Sequence, residues 1–128
     1  MQTGILIIAH GQLGQVLIDC ASHILGRTPE RLTALSAGHD EPREAFLALA
    51  RREIGVLDEG NGVLILTDLF GATPSNFARE LIHSGKVAAL AGVSMPILLR
   101  ALNDRNLPAA PLAARALTAA VECTAILE

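Results

Sequence analysis

Twice in this chain a short, predominantly apolar run stops at a chemically active residue and passes through a glycine-containing turn into a helical pattern. Ile5 to Ala9 ends on His10-Gly11, and Val63 to Thr67 ends on Asp68, followed by Gly71 and the pair Thr73-Pro74. Apolar runs of strand length that do not alternate with polar residues must be buried on both faces, which is the condition of strands in a parallel sheet. Two weaker strands complete the set, Leu32 to Ser36 and Val87 to Ala91.

The segments between them read as helices. Leu13, Val16, Leu17, Cys20 and Ile24 recur at helical spacing until Gly26 offers a stop. A second helix follows the loop Gly38-His39-Asp40-Glu41, with Asp40 as its N-cap and Phe46, Leu49, Ala50 and Ile54 on its inner face. Thr73 as N-cap and Pro74 at the first helical position start a third, whose core face is Phe77, Leu81 and Ile82. Ser94 to Asn103 and Ala109 to about Val121 are helical, separated by the breaker Asn106-Leu107-Pro108. His23 and His83 fall on helix surfaces, and Thr124 to Leu127 reads as a short strand or a frayed helix end.

Alternation of this kind predicts an α/β fold, a small doubly wound sheet of four parallel strands in the order 2-1-3-4 with helices on both faces. In that order the direction of winding reverses between the first and third strands, and ligands of such sheets bind outside the strand carboxyl ends at the reversal. His10 and Asp68 end those two strands. Topology therefore brings together two residues 58 positions apart.

Length and composition limit what the pair can serve. The 128 residues, of which 51% are hydrophobic and 18% charged, suit one domain over 1–128 with a continuous core. A net charge of −3, three Phe and no Tyr or Trp leave neither a basic stripe nor a stacking platform for nucleic acid. No apolar run approaches the roughly 20 residues of a bilayer span, and Met1 leads into a strand without the pattern of a signal peptide. Cys20 and Cys123 form neither a disulfide framework nor a metal spacing, which fits a reducing cytoplasm.

A histidine that accepts a phosphoryl group presents one ring nitrogen as nucleophile, while a carboxylate bonded to the other fixes the tautomer and balances the developing charge. His10 and Asp68 suit those roles. The anion's donors would come from two helix N-termini at the same edge, with Gly11 and Gly71 admitting close backbone approach and Thr73 adding a hydroxyl. No cofactor or metal is required. Phe70, beside the site, is either a core plug or an aromatic for docking a partner.

These residues resemble a known family. Ala9-His10-Gly11, the run Thr67-Asp68-Leu69-Phe70-Gly71-Ala72-Thr73-Pro74-Ser75-Asn76 and the later Ala91-Gly92-Val93-Ser94-Met95-Pro96-Ile97-Leu98 are similar to the mannose-type enzyme IIA component of the bacterial sugar phosphotransferase system. The resemblance spans essentially the whole chain. It implies a cytoplasmic phosphocarrier whose His10 is phosphorylated by the histidine phosphocarrier protein HPr and passes the group to a IIB component, with Asp68 as orienting carboxylate and Thr73 as a phosphate contact. It also implies a homodimer in which a C-terminal antiparallel strand, here Thr124 to Leu127, crosses to the partner. Ala72 stands where the family often has a second Gly, so a positive φ there would cost roughly 1 kcal/mol.

Other functions fit less well. A histidine phosphatase requires Arg where this chain has Ala9, and a metal hydrolase built from His10, His39 and Asp68 lacks a recognised ligand spacing. The phosphocarrier domain of dihydroxyacetone kinase systems is similar in architecture but less so over Asp68 to Asn76. The remaining alternative is a stand-alone regulator, in which phosphorylation of His10 controls partner binding without sugar transport.

Overall fold

A computed structural model describes residues 1–128. The elements follow in the order β1 (Gly4–Ala9), α1 (Leu13–Leu25), β2 (Leu32–Ser36), α2 (Arg43–Leu57), β3 (Val63–Thr67), α3 (Thr73–Leu81), β4 (Val87–Ala91), α4 (Met95–Asn103) and α5 (Ala109–Glu122). All strand pairs are parallel and the sheet order is β2-β1-β3-β4, as the alternation predicts. Ile5 is in register with Leu32 on one side and Leu64 on the other, and Ile8 with Leu35 and Thr67.

Strand periodicity divides the core into two layers. Ile5, Ile7, Leu64 and Leu66 face α1, α4 and α5, where Ile18, Leu98, Leu112 and Ala116 meet them. Leu6, Ile8, Val63 and Ile65 face α2 and α3, where Phe46 and Phe77 stack with ring centroids 5.0 Å apart. Each fully buried Leu or Ile contributes about 1.5–3 kcal/mol by leaving water, so β1 and β3 anchor both layers.

Several helix faces differ from the periodic reading. The buried face of α1 is Gly14, Ile18 and Ala21, turned from the expected stripe by about one residue, ~100°. Leu13, Val16, Cys20 and Ile24 are exposed. The cause is close packing: a Cβ on Gly14 would stand 2.9 Å from the Ala34 Cβ and 3.2 Å from Ile7 Cγ2, so the helix lies on the sheet through its smallest residues. In α2 the inner face is Phe46, Leu47, Ala50 and Leu57, and Leu49 is exposed. Its N-cap is Pro42, not Asp40, whose side chain points into solvent beside His39.

Helix α3 is capped by Ala72, one residue before the expected Thr73, and without a side-chain bond. Ala72 has φ −85°, an extended conformation open to any residue, so the Gly-to-Ala difference carries no strain. The helix ends at Leu81; Ile82 turns into extended backbone and is exposed, and Ala78 takes its place in the core. His83 is not helical but forms an antiparallel bridge with Val87 that leads into β4. Beyond Cys123 the chain lies in no strand, and Ile126 and Leu127 are 90% and 94% exposed. No helix is long and apolar enough to cross a membrane.

Candidate functional site

β1 and β3 are adjacent and parallel, so the residues that follow them emerge side by side at the carboxyl edge of the sheet. His10 Nδ1 lies 2.7 Å from Asp68 Oδ2, and the same oxygen accepts the His10 backbone N–H at 2.9 Å. A carboxylate with two such bonds only accepts, so Nδ1 carries the proton and Nε2 holds the free lone pair. The His10 side chain is 48% exposed and that of Asp68 only 10%, so the ring stands open to solvent over a largely buried carboxylate.

Burial works to raise the Asp68 carboxyl, but hydrogen bonds from the His10 backbone and ring, with the attraction of His10, outweigh it and hold the group below the ordinary aspartate range. Its other oxygen, Oδ1, is buried without a hydrogen-bond partner. The negative charge is therefore engaged by His10 through Oδ2.

Around this pair the backbone is shaped by glycines. Gly11 has φ +51° and Gly71 φ +86°, conformations that admit glycine most easily, and a Cβ at either would meet nothing within 4 Å. The requirement is thus for the turn itself and for open space. Gln12 and Ala72, the N-cap positions of α1 and α3, have no capping side chain, so backbone N–H groups of two first turns remain available near one edge. The Thr73 hydroxyl, which does not cap, is half-buried at the start of α3.

Phe70 is no core plug. It is 76% exposed, with the Arg79 guanidinium 6.0 Å from its ring centroid, and Leu69 beside it is also exposed. His39 pairs with Asp40 at 3.1 Å in open solvent, and no three His, Cys, Asp or Glu side chains converge, so the trio His10, His39 and Asp68 is not assembled. A surface pocket of about 550 Å³ lies elsewhere, between Ile24, Leu25, Met95, Leu99 and Cys123.

The architecture is that of phosphotransferase-system IIA components. It superposes on the mannose/sorbose-specific IIA subunit from Enterococcus faecalis with a TM-score of 0.84 at 18% identity, covering 100% of this chain and 96% of that one. Against the system's EIIA component from Streptococcus agalactiae the TM-score is 0.83 at 22% identity, covering 97% and 96%. Residues 4–120 match the family described as PTS system fructose IIA component, and the chain belongs to that family. Among its relatives, the sorbose-specific EIIA component of Lacticaseibacillus casei is 28% identical over 84% of this chain and 78% of its own length. The mannose-specific EIIAB component of Escherichia coli K12 is 29% identical over 83% of this chain, which spans 33% of that longer protein.

Proposed function

We propose that this chain is a phosphocarrier of sugar phosphotransferase transport that accepts a phosphoryl group from phospho-HPr on Nε2 of His10 and passes it to a IIB component, residues 1–128 acting as one IIA unit. Family membership supports the phosphocarrier role, and the observation that carries the residue assignment is the 2.7 Å contact between His10 Nδ1 and Asp68. In the transfer the donor's phosphorus–nitrogen bond breaks as a new one forms to Nε2. The proton on Nδ1 stays in its bond to Asp68, whose charge balances the imidazolium-like ring. Backbone N–H groups at Gly11 and Gly71, with the Thr73 hydroxyl, receive the phosphoryl oxygens. Phe70 offers an exposed aromatic for docking donor or acceptor.

Incubation with phosphoenolpyruvate, enzyme I and HPr is expected to add a single acid-labile phosphoryl group to the peptide containing His10. Label on a peptide carrying His23, His39 or His83 instead would overturn the assignment.

The exposed tail supports a second element of the reading, a homodimer in which Thr124 to Leu127 pairs with a sheet edge of the partner. Two apolar side chains at 90% and 94% exposure and an edge strand β4 with unpaired backbone groups are each relieved by that pairing. In sedimentation equilibrium at micromolar concentration the full chain should behave as a dimer and a chain ending at Val121 as a monomer. A monomeric full chain rules the exchange out.

A further inference from the structure

We infer that the buried hydroxyl pair Thr67–Ser75 is a positioning device for Asp68, and so for the reactive tautomer of His10; the kinetic part of this inference rests on the function proposed above. Thr67 is fully buried at the end of β3 and Ser75 nearly so in the first turn of α3, with their hydroxyl oxygens 2.7 Å apart. Ser75 Oγ also lies 2.6 Å from the Leu69 carbonyl. A carbonyl only accepts, so the one proton of Ser75 goes to Leu69, and the Thr67 hydroxyl must donate to Ser75. The direction of the relay is thereby determined: Thr67 to Ser75 to the Leu69 carbonyl.

That relay brackets Asp68. On one side the Thr67 carbonyl accepts the N–H groups of Gly92 and Val93 at 2.9 and 2.8 Å, and its hydroxyl is tied to α3. On the other, Leu69 is held by Ser75 and by the Ala72 N–H at 3.3 Å. Asp68 itself has no bond to α3; its Oδ2 reaches across to the residue that follows β1 and must meet two donors of His10 at once. A carboxylate with so demanding a geometry and an unpartnered second oxygen is oriented by its backbone neighbours, and those neighbours are set by the two hydroxyls.

The test uses Thr67→Val, which keeps shape and burial while removing the donor, Ser75→Ala, and the conservative Thr67→Ser. Two readouts are taken on the full chain: ring nitrogen chemical shifts of unphosphorylated His10, and the rate of phosphoryl uptake from phospho-HPr. Thr67→Val and Ser75→Ala should each shift His10 away from the pure Nδ1–H tautomer and slow uptake by roughly tenfold, as expected for a sub-ångström misplacement of an orienting group. Thr67→Ser should stay within about twofold of the parent. A parent-like tautomer in Ser75→Ala, or equal loss in Thr67→Ser and Thr67→Val, would overturn the inference. Should Thr67→Val not fold, Ser75→Ala carries the test, since it leaves β3 intact. Should His10 prove not to be phosphorylated, the proposed function fails while the tautomer readout still decides this one.

Discussion

Replacing Asp68 by Asn is expected to slow phosphoryl uptake by His10 by roughly 10²-fold with the fold retained. The amide oxygen can occupy the place of Oδ2, where it still accepts the His10 backbone N–H and ring N–H that lie 2.9 and 2.7 Å from that position. What it lacks is charge. As Nε2 bonds to phosphorus the ring becomes cationic, and a neutral amide stabilises that state far less than a carboxylate in direct contact with the ring N–H. In the opposite orientation the amide would donate to Nδ1, moving the ring proton to Nε2 and removing the nucleophile's lone pair. Either orientation slows the step. Rapid-quench labelling against phospho-HPr measures it, and unchanged kinetics would remove Asp68 from the mechanism.

The same substitution alters acid stability in a direction that can be worked out. The folded-state Asp68 carboxyl is held below the unfolded value of about 3.9, so its contribution is fully present above that pH and is lost as pH falls through the lower folded value. In urea titrations the parent should therefore lose more stability than Asp68→Asn over that acid interval.

Arg105→Ala is expected to cost roughly 3 kcal/mol of stability, equivalent to a melting point lower by roughly 10 °C. Arg105 is 5% exposed in the turn between α4 and α5. Its guanidinium donates to the carbonyls of Thr3, Glu30 and Arg31 at 3.0, 2.7 and 2.7 Å, and its own carbonyl accepts the Thr3 N–H at 2.8 Å. The residues leading into β1 and β2 are thus tied to one fork. Burial pulls the guanidinium below the ordinary arginine value, and its bonds go to carbonyls, not to a carboxylate. Truncation removes three charge-assisted bonds at once and leaves the carbonyl of the fully buried Thr3 without that donor, while the Arg31 carbonyl keeps only the Ile5 N–H. Lys should recover less than half, because a single ammonium cannot face three carbonyls arranged around a planar fork. Chemical denaturation with an unchanged slope and a lower midpoint is the expected signature, and an unchanged midpoint in Arg105→Ala would refute it.

Strand positions and sheet order were legible because Ile5 to Ala9 and Val63 to Leu66 are continuous apolar runs buried on both faces, with the polar Thr67 only at the strand end, a condition that the residue pattern reveals. His10 and Asp68 were legible as neighbours for the same reason, since strand order decides which carboxyl ends adjoin. Helix faces were less so. In α1 the decisive residue is Gly14, which contributes nothing to an apolar stripe yet governs the approach to Ala34 and Ile7. At Asp40 and Thr73 good capping chemistry was present, but the capping positions fall to Pro42 and Ala72, with Asp40 before its helix and Thr73 already its first residue. The relay from Thr67 to Ser75 and the anchoring by Arg105 left no mark in the pattern. Thr67 meets Ser75 only through the shape of the turn between them and Arg105 meets partners distant in sequence, and nothing about a Thr, a Ser or an Arg in isolation announces such a partner.

β1 runs six residues from the Arg105 anchorage to His10, a span of roughly 20 Å. At that separation the effects of substitutions add instead of coupling. The carboxyl end of the sheet, where Leu69 and Phe70 stand exposed, can therefore drift in sequence and acquire new recognition properties without drawing on the reserve that keeps the chain folded. A scaffold built this way separates robustness from novelty along the axis of a single strand.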